Sequence, residues 1–70
     1  MVRMRLLLNG MSFRITHMGP DFLFVDSPVD LPPGRATIEL QVDDSQRAWE
    51  VALPVGMIAT EDRVALAPLR

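Results

Sequence analysis

From Arg35 to Asp43, polar and apolar residues alternate without a break. Ala36, Ile38, Leu40 and Val42 fall on one side, and Arg35, Thr37, Glu39, Gln41 and Asp43 on the other. Period two marks a strand with one buried face, and no helical stripe reproduces it. Upstream, Phe22, Leu23, Phe24 and Val25 form a continuous apolar run, which suits a strand covered on both faces or one at a barrel corner. Ser27-Pro28 ends that run, because proline supplies no ladder N–H and drives the residue before it to extended backbone. Between the two strands, Leu31-Pro32-Pro33-Gly34 predicts a type II turn, in which Pro33 pre-sets φ and Gly34 takes the positive φ that comes next.

The flanking segments repeat the theme. Asn9-Gly10 predicts a hairpin joining Val2–Leu8 to Met11–Thr16, since both central residues of a type I′ turn need positive φ. That turn sets Leu8 opposite Met11, Leu6 opposite Phe13 and Met4 opposite Ile15, all apolar. On the other face it opposes Arg5 with Arg14 and Arg3 with Thr16, and two facing arginines are unfavourable unless an anion lies nearby. His17-Met18-Gly19-Pro20 reads as a connection. After a polar loop over Asp43-Asp44-Ser45-Gln46, a strand from Arg47 to Leu53 places Trp49, Val51 and Leu53 inward. The expected register matches Leu40 with Trp49, Ile38 with Val51 and Ala36 with Leu53, and it opposes Glu39 with Glu50 outside. A helix capped by Asp44 or Ser45 is the competing reading. Pro54-Val55-Gly56 breaks the strand. Thr60 is placed to cap a single helical turn within Met57–Asp62. Arg63–Ala67 alternates again, with Val64 and Leu66 inward and Pro68 as its end. Short strands with turn signals between them predict one all-β domain over residues 1–70: a small six-stranded, mostly antiparallel barrel or sandwich.

Composition narrows the functional classes. At 70 residues the core supplies only ~3–5 kcal/mol, and chains this small often add oligomerisation. There is no cysteine and only one histidine, so neither a disulfide nor a four-ligand zinc site is expected, and no cofactor is implied. The net charge of −2 argues against a nucleic-acid partner. No apolar run has the roughly twenty residues that a membrane span requires, and Met4–Leu8 is too short for a signal peptide; the expectation is a cytoplasmic protein. All seven basic residues are arginine, as the codon bias of a GC-rich bacterial genome would produce. A hydrophobic fraction of 49% is high for so small a domain and leaves apolar surface for a partner.

The chain offers two candidate sites. Arg3, Arg5 and Arg14 form an arginine cluster on the first hairpin, suited to a phosphate or carboxylate; alternatively, they are balanced by Glu39 and Glu50 across neighbouring hairpins. Met18, Gly19, Pro20 and Asp21 form a loop surface for protein contact. His17 lacks a serine or carboxylate nearby in sequence and reads as a turn residue. Asp26, Asp30, Asp43 and Asp44 read as turn formers, since the spacing of a calcium loop is missing. No phosphate-binding loop or nucleophile elbow occurs, so no enzyme is expected.

The succession of Phe22–Val25, Leu31-Pro32-Pro33-Gly34 and Ala36–Val42 resembles the PilZ-like barrel, whose strand before a proline leads through a Leu-Pro-x-Gly turn into an alternating strand. The resemblance covers about half the chain and implies a similar barrel. PilZ domains that bind cyclic di-GMP carry two arginines four apart and an Asp/Asn-x-Ser-x-x-Gly segment. This chain has Arg3 and Arg5 two apart, and only Thr16-His17-Met18-Gly19 at the second position. The resemblance therefore implies a barrel without that ligand's motifs. The function expected is a non-enzymatic interaction module that pairs with itself or another protein; the alternative is an anion or nucleotide sensor built on Arg3, Arg5 and Arg14.

Overall fold

Asn9 and Gly10 both adopt positive φ, 52° and 72°, and the tight turn they form joins β1 (Val2–Leu8) to β2 (Met11–Met18) in the register the sequence predicts. The computed structural model describes residues 1–69, and these contain seven strands and no helix. The expected ladder holds from Leu8–Met11 to Arg5–Arg14 and stops there, so Met4 and Ile15, and likewise Arg3 and Thr16, are not paired. Beyond that point β2 turns to β3 (Phe22–Val25), with a register shift between Ile15 and His17. An extra residue in one strand bends it and re-aims the side chains beyond the bend. Here the bend separates the end of β2 from the start of β1.

β4 (Gly34–Val42) and β5 (Ser45–Leu53) form the second hairpin, so the competing helix does not form. Its turn is shorter than expected. Asp43 accepts positive φ (51°), and a two-residue link pairs Val42 with Ser45. The register therefore differs by two residues from expectation: Ile38 faces Trp49, Ala36 faces Val51 and Gly34 faces Leu53. An even shift preserves which side chains point inward. On the outer face it removes the expected Glu39–Glu50 opposition, since Glu39 faces Ala48 and Thr37 faces Glu50.

Strand order is β6-β3-β2-β1-β4-β5-β7, where β6 is Arg63–Ala65 and β7 is Ala67–Pro68. The first and last strands are thus consecutive pieces of one segment, broken at Leu66. β6 pairs with β3, β7 pairs with β5, and the Leu66 N–H donates to the Asp21 carbonyl at 2.8 Å. This segment closes the sheet into a nearly complete antiparallel barrel. The alternation predicts one strand ended by Pro68; the segment instead breaks at Leu66, and Pro68 is the last residue of β7, opposite Val51. A proline is tolerated there because an edge position demands no ladder N–H.

Leu6, Leu23, Ile38, Leu53 and Val64, one each from β1, β3, β4, β5 and β6, fill the barrel with almost no exposure. No polar or charged residue among those described is buried. Phe22 and Phe24 are only half-buried on the opposite side of β3, so that strand is covered on one face rather than two. Two loop expectations are also corrected. Gly34 is not in the left-handed region but opens β4, so no type II turn forms at the Pro-Pro corner. The corner is held instead by Gly56 (φ 69°) and by reciprocal backbone bonds between Leu31 and Met57, at 2.8 and 3.0 Å. Met57–Asp62 contains no helical turn: Ile58 and Glu61 form an isolated antiparallel bridge, and Asp30 Oδ1 accepts the Ala59 N–H at 2.8 Å.

Candidate functional site

The arginine cluster divides in the folded chain. β1 lies between β2 and β4, so Arg5 has Arg14 on one side and Glu39 on the other. Arg5 Nη2 donates to Glu39 Oε1, and the repulsion of the facing arginines is met by one carboxylate. Arg3 lies opposite Gln41. Among the described residues, neither Arg3 nor Arg14 has a carboxylate partner. Both line an open cleft of about 840 Å³ where β1 and β2 diverge, together with Arg5, Ser12 and Thr16; no carboxylate is in its lining.

The second feature comes from strands that outrun the barrel. Where β2 bends away, β1, β4 and β5 continue as a three-stranded flap, and every residue from Gln41 to Glu50 is exposed. On β1 and β4 its inward-phase residues stay apolar with no layer to cover them, whereas on β5 that phase carries Ser45 and Arg47. Val2 is 62% exposed, and Val42 and Trp49 are each 39% exposed. The alternation of β5 predicts Trp49 as a core anchor; the structure overturns that, because β7 covers only Val51 and Ala52, so Trp49, although opposite the buried Ile38, has no strand beside it on the side away from β4. The sequence holds one signal of this: Arg47 and Ser45 share Trp49's inward phase, and a charged residue there shows that the buried face has ended.

Trp49 also shapes a groove of about 430 Å³ with Met18, Pro20, Leu66, Pro68 and Leu69. Two of the four loop residues expected at a partner surface, Met18 and Pro20, therefore meet the tryptophan across this groove. Gly19 and Asp21 do not line it and serve the turn instead: the Gly19 N–H donates to the Phe22 carbonyl at 2.9 Å, and the Asp21 carbonyl accepts from Leu66.

His17 lies on the outside, with Nδ1 3.3 Å from Thr16 Oγ1 and its ring edge-on to Phe24 at 5.8 Å between centroids. Phe24 packs edge-on to Phe22, and the Arg63 guanidinium sits 4.8 Å from the Phe22 ring centre. This strip covers the outer side of β3 and brings no carboxylate to the imidazole. No group of three His, Asp or Glu side chains among the described residues is placed to hold a metal ion. No helix is long and apolar enough to cross a membrane. Comparison with family models, with curated proteins and with solved structures returns no match.

Proposed function

We propose that this chain is a non-enzymatic protein-interaction module that associates, with itself or with another protein, through the uncovered inner side of the β1-β4-β5 flap and the adjoining groove. The observation that carries this reading is the position of Trp49, a large aromatic left 39% exposed in a groove lined by apolar residues and Glu50, on a chain of 70 residues. Tryptophan is over-represented among residues that dominate binding energy. Small domains recruit further burial through association.

Sedimentation over a dilution series, with Trp49 as the fluorescent reporter, tests it. Association is expected to move Trp49 emission to the blue, and Trp49→Ala is expected to abolish association while leaving the fold intact. A chain that stays monomeric at all concentrations, and whose Trp49 remains freely quenched in an extract of its native host, overturns the proposal.

A second reading is supported by the cleft between β1 and β2. Arg3 and Arg14 stand there with Ser12 and Thr16 and with no acidic residue in the lining. Such a set suits an anion, in keeping with the PilZ-like resemblance but without that family's cyclic di-GMP motifs. An NMR titration with inorganic phosphate and cyclic dinucleotides tests it; unmoved amide shifts in β1 and β2 remove it.

A further inference from the structure

The edge of β5 is half open. β7 covers only Val51 and Ala52, so Ser45–Glu50 has no ladder partner on the side away from β4 among the described residues. Such an edge is a template for strand pairing. Its side chains restrict what can pair with it. When a two-fold axis stands perpendicular to the sheet, the inner face of one copy continues into the inner face of the other. Directly opposed residues must then share a phase, which leaves only registers centred on a residue.

Centring on Arg47 opposes two like charges at the axis, which is unfavourable. Centring on Trp49 brings Val51 into the pairing, and that residue is already paired with Pro68. Centring on Ala48 places the smallest side chain of the stretch on the axis. It also opposes Arg47 with Trp49 twice on the inner face, and Gln46 with Glu50 twice on the outer face. Arg47 has no carboxylate partner among the described residues, and a guanidinium over an indole face is a favourable cation–π contact. The Gln46 amide can donate to the Glu50 carboxylate.

Resting on the self-association form of the reading above, we propose that the occupant of this edge is a second copy of the same chain, paired antiparallel through β5 with Ala48 on the two-fold axis. Arg47 of each copy covers Trp49 of the other. The pairing spans five residues and is smaller than the standard protein interface of roughly 1,200–2,000 Å². The dimer is therefore weak and concentration-dependent.

The chain has no cysteine, so single replacements report the register directly. Opposed Cβ atoms on paired strands lie about 4.5–5.5 Å apart, whereas residues displaced four along the strand lie roughly 13 Å apart. Ala48→Cys is expected to crosslink to a covalent dimer under mild oxidation, and Gln46→Cys is not. Trp49→Ala and Arg47→Glu are each expected to weaken sedimentation-detected dimerisation by about tenfold or more. Circular dichroism of every variant confirms that the strands are retained. Equal crosslinking of Ala48→Cys and Gln46→Cys overturns the pairing. So does a folded Ala48→Cys that does not crosslink while sedimentation shows a dimer; in that case association through another surface survives. Monomers at all concentrations overturn this pairing and the self-association reading together.

Discussion

Replacing Gly56 by alanine is the sharpest test of how the barrel's loop end is held. Gly56 is buried with φ 69°, and its N–H donates to the Leu53 carbonyl at 3.1 Å. A Cβ at this position would lie 2.1 Å from the Leu31 carbonyl oxygen and 2.6 Å from the Pro32 carbonyl carbon. Both obstacles are backbone, and proline's fixed φ leaves that segment little room to yield. Relief requires opening the Leu31–Met57 bridge, whose two backbone hydrogen bonds contribute about 1 kcal/mol each, while the left-handed backbone adds about 1–2 kcal/mol for a residue with a Cβ. The combined loss of roughly 3–4 kcal/mol lies within the ~3–5 kcal/mol that a core of this size supplies, so Gly56→Ala is expected to be largely unfolded at room temperature.

Gly10 provides the control. Its φ of 72° is equally left-handed, but nothing lies within 4 Å of its added Cβ. Gly10→Ala should therefore lose only about 1–2 kcal/mol and remain folded with a lowered urea midpoint. Far-UV circular dichroism through a urea series, with hydrogen exchange at the Met57 amide, separates the two variants. If Gly56→Ala unfolds within about 1 kcal/mol of Gly10→Ala and keeps Met57 protected, the clash argument is wrong.

Other expectations rest on particular contacts. Ile38→Ala removes a fully buried side chain and should cost about 2–5 kcal/mol, enough to abolish the cooperative urea transition. Glu39→Ala leaves Arg5 beside Arg14 without its carboxylate; because the Arg5 side chain is 42% exposed, the loss should stay at about 0–1 kcal/mol and shrink in high salt, as a double-mutant cycle with Arg5→Ala would show. Gly19→Ala would place a Cβ 2.3 Å from the Phe22 ring, a half-buried side chain with freedom to move. A drop of about 1 kcal/mol with altered ring-current shifts at Arg63 and Phe24 is expected, and unchanged spectra would show that the aromatic strip is not packed as described.

Much of this protein was settled by residue order alone. Asn9-Gly10 set the first hairpin because few other pairs accept two positive φ values, and alternation along Ala36–Val42 decided which side chains face the barrel. These are properties of the backbone and of period two, so they needed no neighbour. The opposition of Arg5 and Arg14 came from the same local register, whereas Arg3 lies beyond the end of that ladder, opposite Gln41.

What the chain could not announce was decided by long-range closure. The expected four-residue link and the observed two-residue link at Asp43-Asp44 keep the same inward set, so alternation does not choose between them. The shorter link set Trp49 opposite Ile38 and Glu39 opposite Ala48, so Glu39 meets Arg5 with no second glutamate facing it, while the exposure of Trp49 follows from β7 stopping at Val51. Breaking the last segment at Leu66, so that one half bonds to β3 and the other to β5, depends on where the sheet meets itself. The uncovered flap and the open β5 edge exist because one end of the barrel closes before its longest strands are finished.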